Sequence, residues 1–281
     1  MKIRRPCQAG SFYPANPQAL KRQIEKCFIH KLGPGNPRIV REGPNNIVGL
    51  VCPHAGYMYS GHVAAHSYFK LAADGQPDTI VILGPNHTGQ GSALALMKEG
   101  VWQTPLGDVR IDEEAANFIL RRPTVIDVDD VAHAYEHSIE VQLPFLQYLY
   151  GTAFKFVPIS FLIQDFESSR DAGQAIGQAL RGKNALIVAS TDMTHYEPHE
   201  TAKAKDKKAL QELEKLDEKA FYSTIEGNHI TACGYGPVVA LVTAAKLLGA
   251  KKGRLLSYCT SGDVTGDYSA VVGYASVMLT K

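Results

Sequence analysis

The chain has 281 residues, of which 45% are hydrophobic and 20% are charged, and its formal net charge at neutral pH is +1. This composition is typical of a globular protein with a buried core and excludes a largely disordered chain. A net charge close to zero gives no reason to expect nucleic acid or an anionic membrane as a partner, and we expect neither. Because no stretch has the composition of a linker, we predict one domain over residues 1–281.

The amino terminus and the cysteines bear on the cellular location. The charged segment from Met1 to Pro6 is not followed by the apolar stretch of a secretory signal. The apolar runs are shorter than the roughly 18 residues that a membrane span needs. The five cysteines are an odd number at wide spacings, which fits neither a disulfide framework nor a structural zinc site. We therefore expect a cytoplasmic protein.

The start of the chain predicts a helix and then a strand. A helix is predicted from about Pro17 to His30, because Asn16 is a suitable N-cap. A loop rich in glycine and proline separates this helix from an apolar run that ends at Cys52. We predict that this run is a buried strand, and His54 follows it almost directly.

A second predicted strand also leads to a histidine. After a helical pattern from Ser60 to Leu71, the β-branched run from Thr79 to Leu83 has the continuous apolar character of a strand in a parallel sheet. It stops at glycine and proline, and His87 comes next. His62 and His66 are four residues apart on the predicted helix, but the glutamate of a zinc-protease helix is missing. We expect His62 to line a pocket.

The middle of the chain predicts two helices. The first runs from Asp112 to Arg121 and is capped by the aspartate that begins it. The segment His133–Glu140 opens the second, with Glu136 and His137 near its start, where their side chains can point into a cleft. The glutamate that ends this segment fits a first-turn charge at the positive end of the helix dipole.

The next segments alternate between strand and helix. Strands are predicted from about Phe154 to Ile159 and from Ala185 to Ser190, and a helix is predicted from Glu167 to Leu180. This alternation is typical of a parallel sheet with helices on its faces. Asp192 and His195 follow the second of these strands.

The last part of the chain predicts more helices and two closing strands. Charged helices are predicted over 201–216 and 218–226. A glycine-rich turn then places Cys233 just before the amino terminus of another helix, where a thiolate is favoured. The strands are predicted over 254–259 and 270–279.

Histidines that follow neighbouring strands are candidates for one metal site. The carboxyl ends of parallel strands are where such sheets bind their ligands. Imidazoles, together with a thiolate or a carboxylate, form three-ligand sites that leave positions open for water or substrate. His54 and His87 are the first two expected ligands. The third is open among Cys233, Asp192 and His195, of which the last two could equally form an outer pair that moves protons.

Other chemistries have less support in the sequence. No phosphate-binding loop, dinucleotide fingerprint or nucleophile elbow is present, and the segment Gly84–Gly89 has proline where free backbone N–H groups would be needed. We therefore predict no nucleotide cofactor. Cys233 could still act as a nucleophile, with His195 or His229 as its base, in a hydrolase or transferase.

Six segments of the chain form an ordered series of motifs. They are Arg5–Pro14, Pro53–Gly61, Gly84–Gly89, Glu136–Leu146, Ser190–Tyr196 and Ala232–Pro237. Together they resemble the Memo family, named for a mediator of receptor-driven cell motility. Six motifs in one order are far more specific than any one of them, and the resemblance extends from the amino terminus to the final strands.

The resemblance implies an α/β fold and a set of metal ligands. The implied fold is a single domain with a central, largely parallel sheet flanked by helices, similar to that of class III extradiol dioxygenases, which are non-haem Fe(II) enzymes that open catechol rings. By position, His54 and His87 correspond to two metal ligands. Cys233 stands where the dioxygenases have a carboxylate ligand.

The resemblance also implies catalytic residues and a cofactor. His195 matches the acid/base histidine of the dioxygenases, and Asp192 and His137 would line the same pocket. Because a thiolate with two imidazoles differs from the usual Fe(II) ligand set, dioxygenase activity is not inherited with the fold. We expect one transition-metal ion per chain, Fe(II) or Cu rather than Zn, in a redox protein or metal-dependent oxidoreductase.

The resemblance leaves a second kind of function open. The same cleft could bind a phosphopeptide or a small ligand without catalysis, which the aromatic residues Tyr57, Tyr59 and Tyr235 near the motifs would suit. The resemblance further implies a radical-SAM protein and an AMMECR1-like protein as partners in microbes.

Overall fold

Strands and helices alternate along most of the computed structural model, which describes residues 2–122 and 125–281. The strands are β1 (Ile3–Arg4), β2 (Ile47–Cys52), β3 (Thr79–Pro85), β4 (Leu94–Leu96), β5 (Val101–Thr104), β6 (Gly107–Ile111), β7 (Asp127–Val128), β8 (Lys155–Phe161), β9 (Ala185–Ser190), β10 (His195–Glu197), β11 (Lys252–Thr260) and β12 (Val271–Thr280). The helices are α1 (Pro17–Ile29), α2 (Tyr57–Asp74), α3 (Glu113–Leu120), α4 (Leu143–Tyr150), α5 (Phe166–Ala179), α6 (His199–Glu214), α7 (Glu218–Gly227), α8 (Tyr235–Leu247) and α9 (Gly262–Thr265).

Parallel strands form the centre of the sheet. The strand order is β1-β5-β6-β8-β3-β9-β2-β12-β10, and the pairs from β6 to β2 are all parallel. Antiparallel pairs with β12 extend the sheet beyond β2. Every residue of β2, β3 and β9 is buried, as their continuous apolar runs predict. The predicted α/β fold with a largely parallel central sheet is confirmed.

Helices cover both faces of this sheet, because successive residues of each strand point to opposite sides. Ile80 and Ile82 pack with α1, α2 and α4, whereas Val81 and Leu83 pack with α3, α5 and α8. The contact between α5 and α8 is close, since a Cβ added at Gly173 would lie 2.5 Å from the carbonyl oxygen of Ala240. Within the described residues, no helix is long and apolar enough to cross a membrane.

The capping residues of α1 and α3 are those that the sequence predicts, but α4 begins later than predicted. The side chains of Asn16 and Asp112 cap α1 and α3 as expected. The segment His133–Glu140 does not open an α-helix; a 3₁₀ helix begins at its last residue (Glu140–Gln142), and α4 starts at Leu143. The Glu136 carboxylate accepts a hydrogen bond from the backbone N–H of Ser138, two residues along the chain, and such a local bond competes with helix formation. Glu136 therefore lies on a loop.

The amino-terminal segment is anchored by one buried glutamate. Glu140 forms an ion pair with Arg4 and also accepts hydrogen bonds from the backbone N–H groups of Cys7 and Gln8 and from the Tyr13 hydroxyl. Both charged groups are buried. Burial would raise the pKa of Glu140, but the Arg4 charge and these hydrogen bonds lower it. As the sequence predicts, Glu140 is a first-turn charge, in the 3₁₀ helix that leads into α4, but it is also buried and paired with Arg4.

Arg4 in turn holds the loop that precedes α4. Its Nη2 donates to the carbonyl oxygen of Glu136 at 2.6 Å, and its Nε donates to that of His133 at 3.0 Å. The guanidinium lies over the Trp102 ring, 4.4 Å from the centroid. A single side chain near the amino terminus therefore fixes two points of the loop.

We predict that Glu140→Gln lowers the free energy of unfolding by about 3 to 5 kcal/mol, because it leaves the buried Arg4 charge uncompensated. The measurement is denaturant unfolding followed by circular dichroism. The double variant Arg4→Met/Glu140→Gln removes both charges and should lose less than the sum of the two single variants. If the double variant loses as much free energy of unfolding as the two single variants together, Arg4 and Glu140 are not coupled, and the prediction is contradicted.

Candidate metal site

Three imidazoles meet beside the carboxyl ends of the central strands. His54 follows β2, His87 follows β3, and His137 lies on the loop before α4. Each offers one ring nitrogen, and these nitrogens all lie within 4.8 Å of one another. The family resemblance implied His54, His87 and Cys233 as ligands and placed His137 only in the same pocket, whereas the structure groups the three histidines and leaves Cys233 beside them. We call this set the histidine cluster.

The ring of His54 is oriented by a hydrogen-bond chain. Its Nδ1 is 2.9 Å from the Ser190 hydroxyl oxygen, which donates to the carbonyl oxygen of Ser138 at 2.7 Å. The Ser190 hydroxyl oxygen also accepts a hydrogen bond from the side-chain amide of Gln142 at 2.7 Å. Because a hydroxyl has only one proton, Ser190 has to accept from His54 as well. His54 is therefore protonated on Nδ1 and has its lone pair on Nε2.

The ring of His87 is oriented by a carboxylate. Its Nδ1 is 3.0 Å from Glu136 Oε1. Burial would raise the pKa of Glu136, but the hydrogen bond from His87 and the nearby imidazoles hold it at about 2. An ionised carboxylate only accepts, so Nδ1 of His87 carries the proton and its Nε2 is free. Carboxylates orient metal-binding histidines in this way.

The buried members of the cluster are neutral at neutral pH. Burial lowers the pKa of His54 well below its usual value, and the neighbouring imidazoles lower it further. Burial also lowers the pKa of His137 to about 4, against the opposing charge of Glu136. His137 stacks on His87 with the ring centroids 4.6 Å apart. Neutral imidazoles are the form that binds metal ions.

Cys233 lies next to the cluster, in direct contact with His54. Its Sγ is 3.1 Å from His54 Nε2, and the backbone N–H of Asp192 donates to it at 3.2 Å. Burial raises the pKa of the Cys233 thiol, and the Asp192 charge adds to this effect. In the protein without a metal ion, this raised pKa opposes the thiolate that the position before α8 favours.

Asp192 and His195 adjoin the cluster from the end of β9 and from β10. Asp192 Oδ1 accepts from the backbone N–H of His54 at 2.8 Å, and Oδ2 is 4.0 Å from His54 Nε2. Burial raises the pKa of Asp192 to about 6. His195 is only partly buried, and its Nδ1 is 2.8 Å from the carbonyl oxygen of Thr231, to which it donates.

His62 and His229 lie apart from the histidine cluster. His62 Nε2 is 3.2 Å from the sulfur of Cys259, and its ring is 4.6 Å from that of His30. His229 follows α7, and its backbone N–H bonds to the carbonyl oxygen of Glu226. Neither belongs to the group that can hold a metal among the described residues.

Comparison with known proteins assigns the chain to a family. The sequence model for Memo-like proteins matches residues 4–278. The chain belongs to the Memo family. A MEMO1 family protein of Methanopyrus kandleri is 51% identical over 99% of both chains. Another, from Methanothermobacter thermautotrophicus, is 50% identical over 97% of this chain and 99% of its own length.

The fold of this Memo-family chain also occurs in a distant solved structure. An uncharacterized protein of Escherichia coli K12 matches 83% of this chain and 99% of its own, with a TM-score of 0.52 and 13% identity. At this identity the match shows a common fold. The family resemblance drawn from six motifs is confirmed over almost the whole length.

We predict that Cys233 in metal-free protein reacts with iodoacetamide at pH 7.5 more slowly than a free cysteine, because its thiol has a raised pKa. The measurement is mass spectrometry of the labelled peptides over time, with Cys233→Ser as the control for assignment. Fast labelling of Cys233 ahead of the other cysteines would instead support a Cys233 nucleophile.

Proposed function

We propose that this Memo-family protein binds one transition-metal ion, Fe(II) or Cu, at the histidine cluster and acts in metal-dependent redox chemistry. The observation that carries the proposal is the meeting of three ring nitrogens within 4.8 Å of one another. In two of the rings the hydrogen bonds to Ser190 and Glu136 leave Nε2 as the free donor. A bound Fe or Cu ion would supply one-electron chemistry that protein side chains lack.

The donor set fits such an ion. Neutral imidazoles suit Fe, Cu and Zn, and a thiolate favours the softer Cu. Two ligands on one ion are separated by roughly 3.5 Å when one is nitrogen and the other sulfur. Cys233 Sγ lies 3.1 Å from His54 Nε2, close to that separation. We propose that Cys233 joins His54, His87 and His137 as a ligand when the charge of the ion deprotonates its thiol.

His195 and Asp192 are the proposed proton carriers. The Nδ1 of His195 donates to Thr231, so its Nε2 can accept or release a proton at the partly exposed side of the site. The pKa of Asp192, raised to about 6 by burial, allows this carboxyl to change its protonation near neutral pH. Its hydrogen bond to the His54 backbone also ties the carboxyl to the first ligand.

One observation favours this function over a peptide-binding module. Tyr57, one of the aromatic residues that suit a peptide cleft, is buried and donates its hydroxyl proton to the carbonyl oxygen of Val141. Tyr235 lies beside Tyr222, with the ring centroids 5.8 Å apart. The Tyr57 ring therefore packs inside the protein, Tyr235 is half-buried, and Tyr59 remains exposed.

We predict that wild-type protein purified without added metal and then titrated with Fe(II) or Cu binds about one ion per chain. The double variant His54→Ala/His87→Ala should lose this binding, because it removes two ligands that Cys233 cannot replace. The measurement is elemental analysis after gel filtration, and His66→Ala, which changes a histidine outside the cluster, is the matched control. Equal metal content in the wild type and the double variant would overturn the proposal.

Two single variants separate the remaining ligands. If His137 and Cys233 both bind the ion, His137→Ala should weaken Fe(II) and Cu binding alike, whereas Cys233→Ser should weaken Cu binding more. An unchanged Cu affinity in Cys233→Ser would remove the thiolate from the proposed ligand set.

We also predict that Glu136→Gln weakens metal binding by about 10-fold to 100-fold, although Glu136 is not itself a ligand. The substitution removes the negative charge that orients His87 and keeps its Nε2 free. The measurement is competition with a chelator of known affinity. Glu113→Gln, on the surface of α3, provides a control that should bind metal as the wild type does.

A further inference from the structure

A cavity of about 710 Å³ lies beside the amino-terminal strand β1. Its walls come from the first residues of the chain and from the loop that precedes Glu136. None of the three cluster histidines lines it, so it is separate from the candidate metal site. Its volume is within the range of cavities that hold small organic ligands.

The floor of this cavity is rigid. Arg4 and Met97 line it and are both buried. Arg4 is held by its ion pair with Glu140 and by its hydrogen bonds to two carbonyl oxygens of the adjoining loop. The Met97 sulfur accepts a hydrogen bond from the Trp102 indole at 3.3 Å. A ligand would therefore meet a preformed surface and cost little ordering of the protein.

Part of the mouth of the cavity is formed by exposed apolar side chains. Ile3 and Tyr135 line it, with 53% and 69% of their surface accessible to solvent. Pro6 and Ala134 add further apolar surface. An aliphatic and an aromatic side chain that face solvent around a concave surface mark a place where an apolar group can be buried.

Among the described residues, Arg5 is the one positively charged side chain of the lining that has no acidic partner. Arg4 is neutralised by Glu140, and Lys2 Nζ lies 2.6 Å from Asp130. Arg5 is exposed, and its guanidinium makes no hydrogen bond or ion pair with any part of the chain that the structure describes. One unpaired guanidinium beside an apolar mouth is complementary to one carboxylate, which arginine binds through two parallel hydrogen bonds.

We propose that this cavity binds a small monocarboxylate with an aromatic or branched apolar body. Arg5 binds the carboxylate, Tyr135 and Ile3 cover the apolar body, and Arg4 and Met97 form the floor. This site does not depend on a metal ion at the histidine cluster.

The test is isothermal titration calorimetry of the full-length, chelator-treated protein with 3-phenylpropionate. The expected result is saturable binding to the wild type. Arg5→Gln should weaken it about 10-fold or more, because a charge-assisted hydrogen-bonded pair is lost. Arg38→Gln, which changes another exposed arginine, is the matched control and should bind as the wild type does.

Three further measurements make the assignment specific. The neutral amide, 3-phenylpropionamide, should bind more weakly than the acid, and Tyr135→Ala should weaken binding of the acid. The variant His54→Ala/His87→Ala should bind the acid unchanged, because the histidine cluster takes no part. Absence of binding to the wild type, equal binding by Arg5→Gln, or loss of binding in the double histidine variant would each overturn the proposal.

Discussion

The buried ion pair between Arg4 and Glu140 is the interaction on which the candidate site depends. Arg4 bonds to the backbone of Glu136, and the Glu136 carboxylate bonds to His87. His137 is the next residue along the loop. Two of the three cluster imidazoles thus take their positions from a side chain close to the amino terminus. A buried pair gives little net stability by itself, but here the hydrogen bonds to both charges are satisfied, and the pair specifies one loop conformation.

The sequence predicts those parts of the site that follow from local pattern. The runs that form β2, β3 and β9 are continuously apolar, so their burial and their parallel pairing could be expected. The apolar runs of β2 and β3 end shortly before His54 and His87, so the sequence placed both histidines at the carboxyl ends of neighbouring strands. The structure brings them together. The family motifs then added His137 and Cys233 to the same region.

The rest of the site depends on partners that are distant in the chain. The role of Glu136 arises from His87, 49 positions away, and that of Glu140 from Arg4, 136 positions away. Neither the hydrophobic periodicity nor the capping residues near Glu136 indicate these long-range contacts. For this reason the sequence predicted a helix there. The raised pKa of Cys233 has a similar origin, since it reflects burial by the whole fold rather than the adjacent helix terminus. Only the neighbouring pair Glu136 and His137 hinted at a functional loop.

The strand order has a consequence for how the protein is made. Within the described residues, β2, which leads to His54, pairs with β9 and β12 alone, and both come from the last hundred residues of the chain. A ribosome releases β2 long before its two neighbours exist. The first histidine of the cluster can therefore reach its final position only after most of the chain has been synthesised. Until then, His54 and Cys52 belong to a hydrophobic segment that lacks its neighbouring strands, and the histidine cluster is not yet assembled.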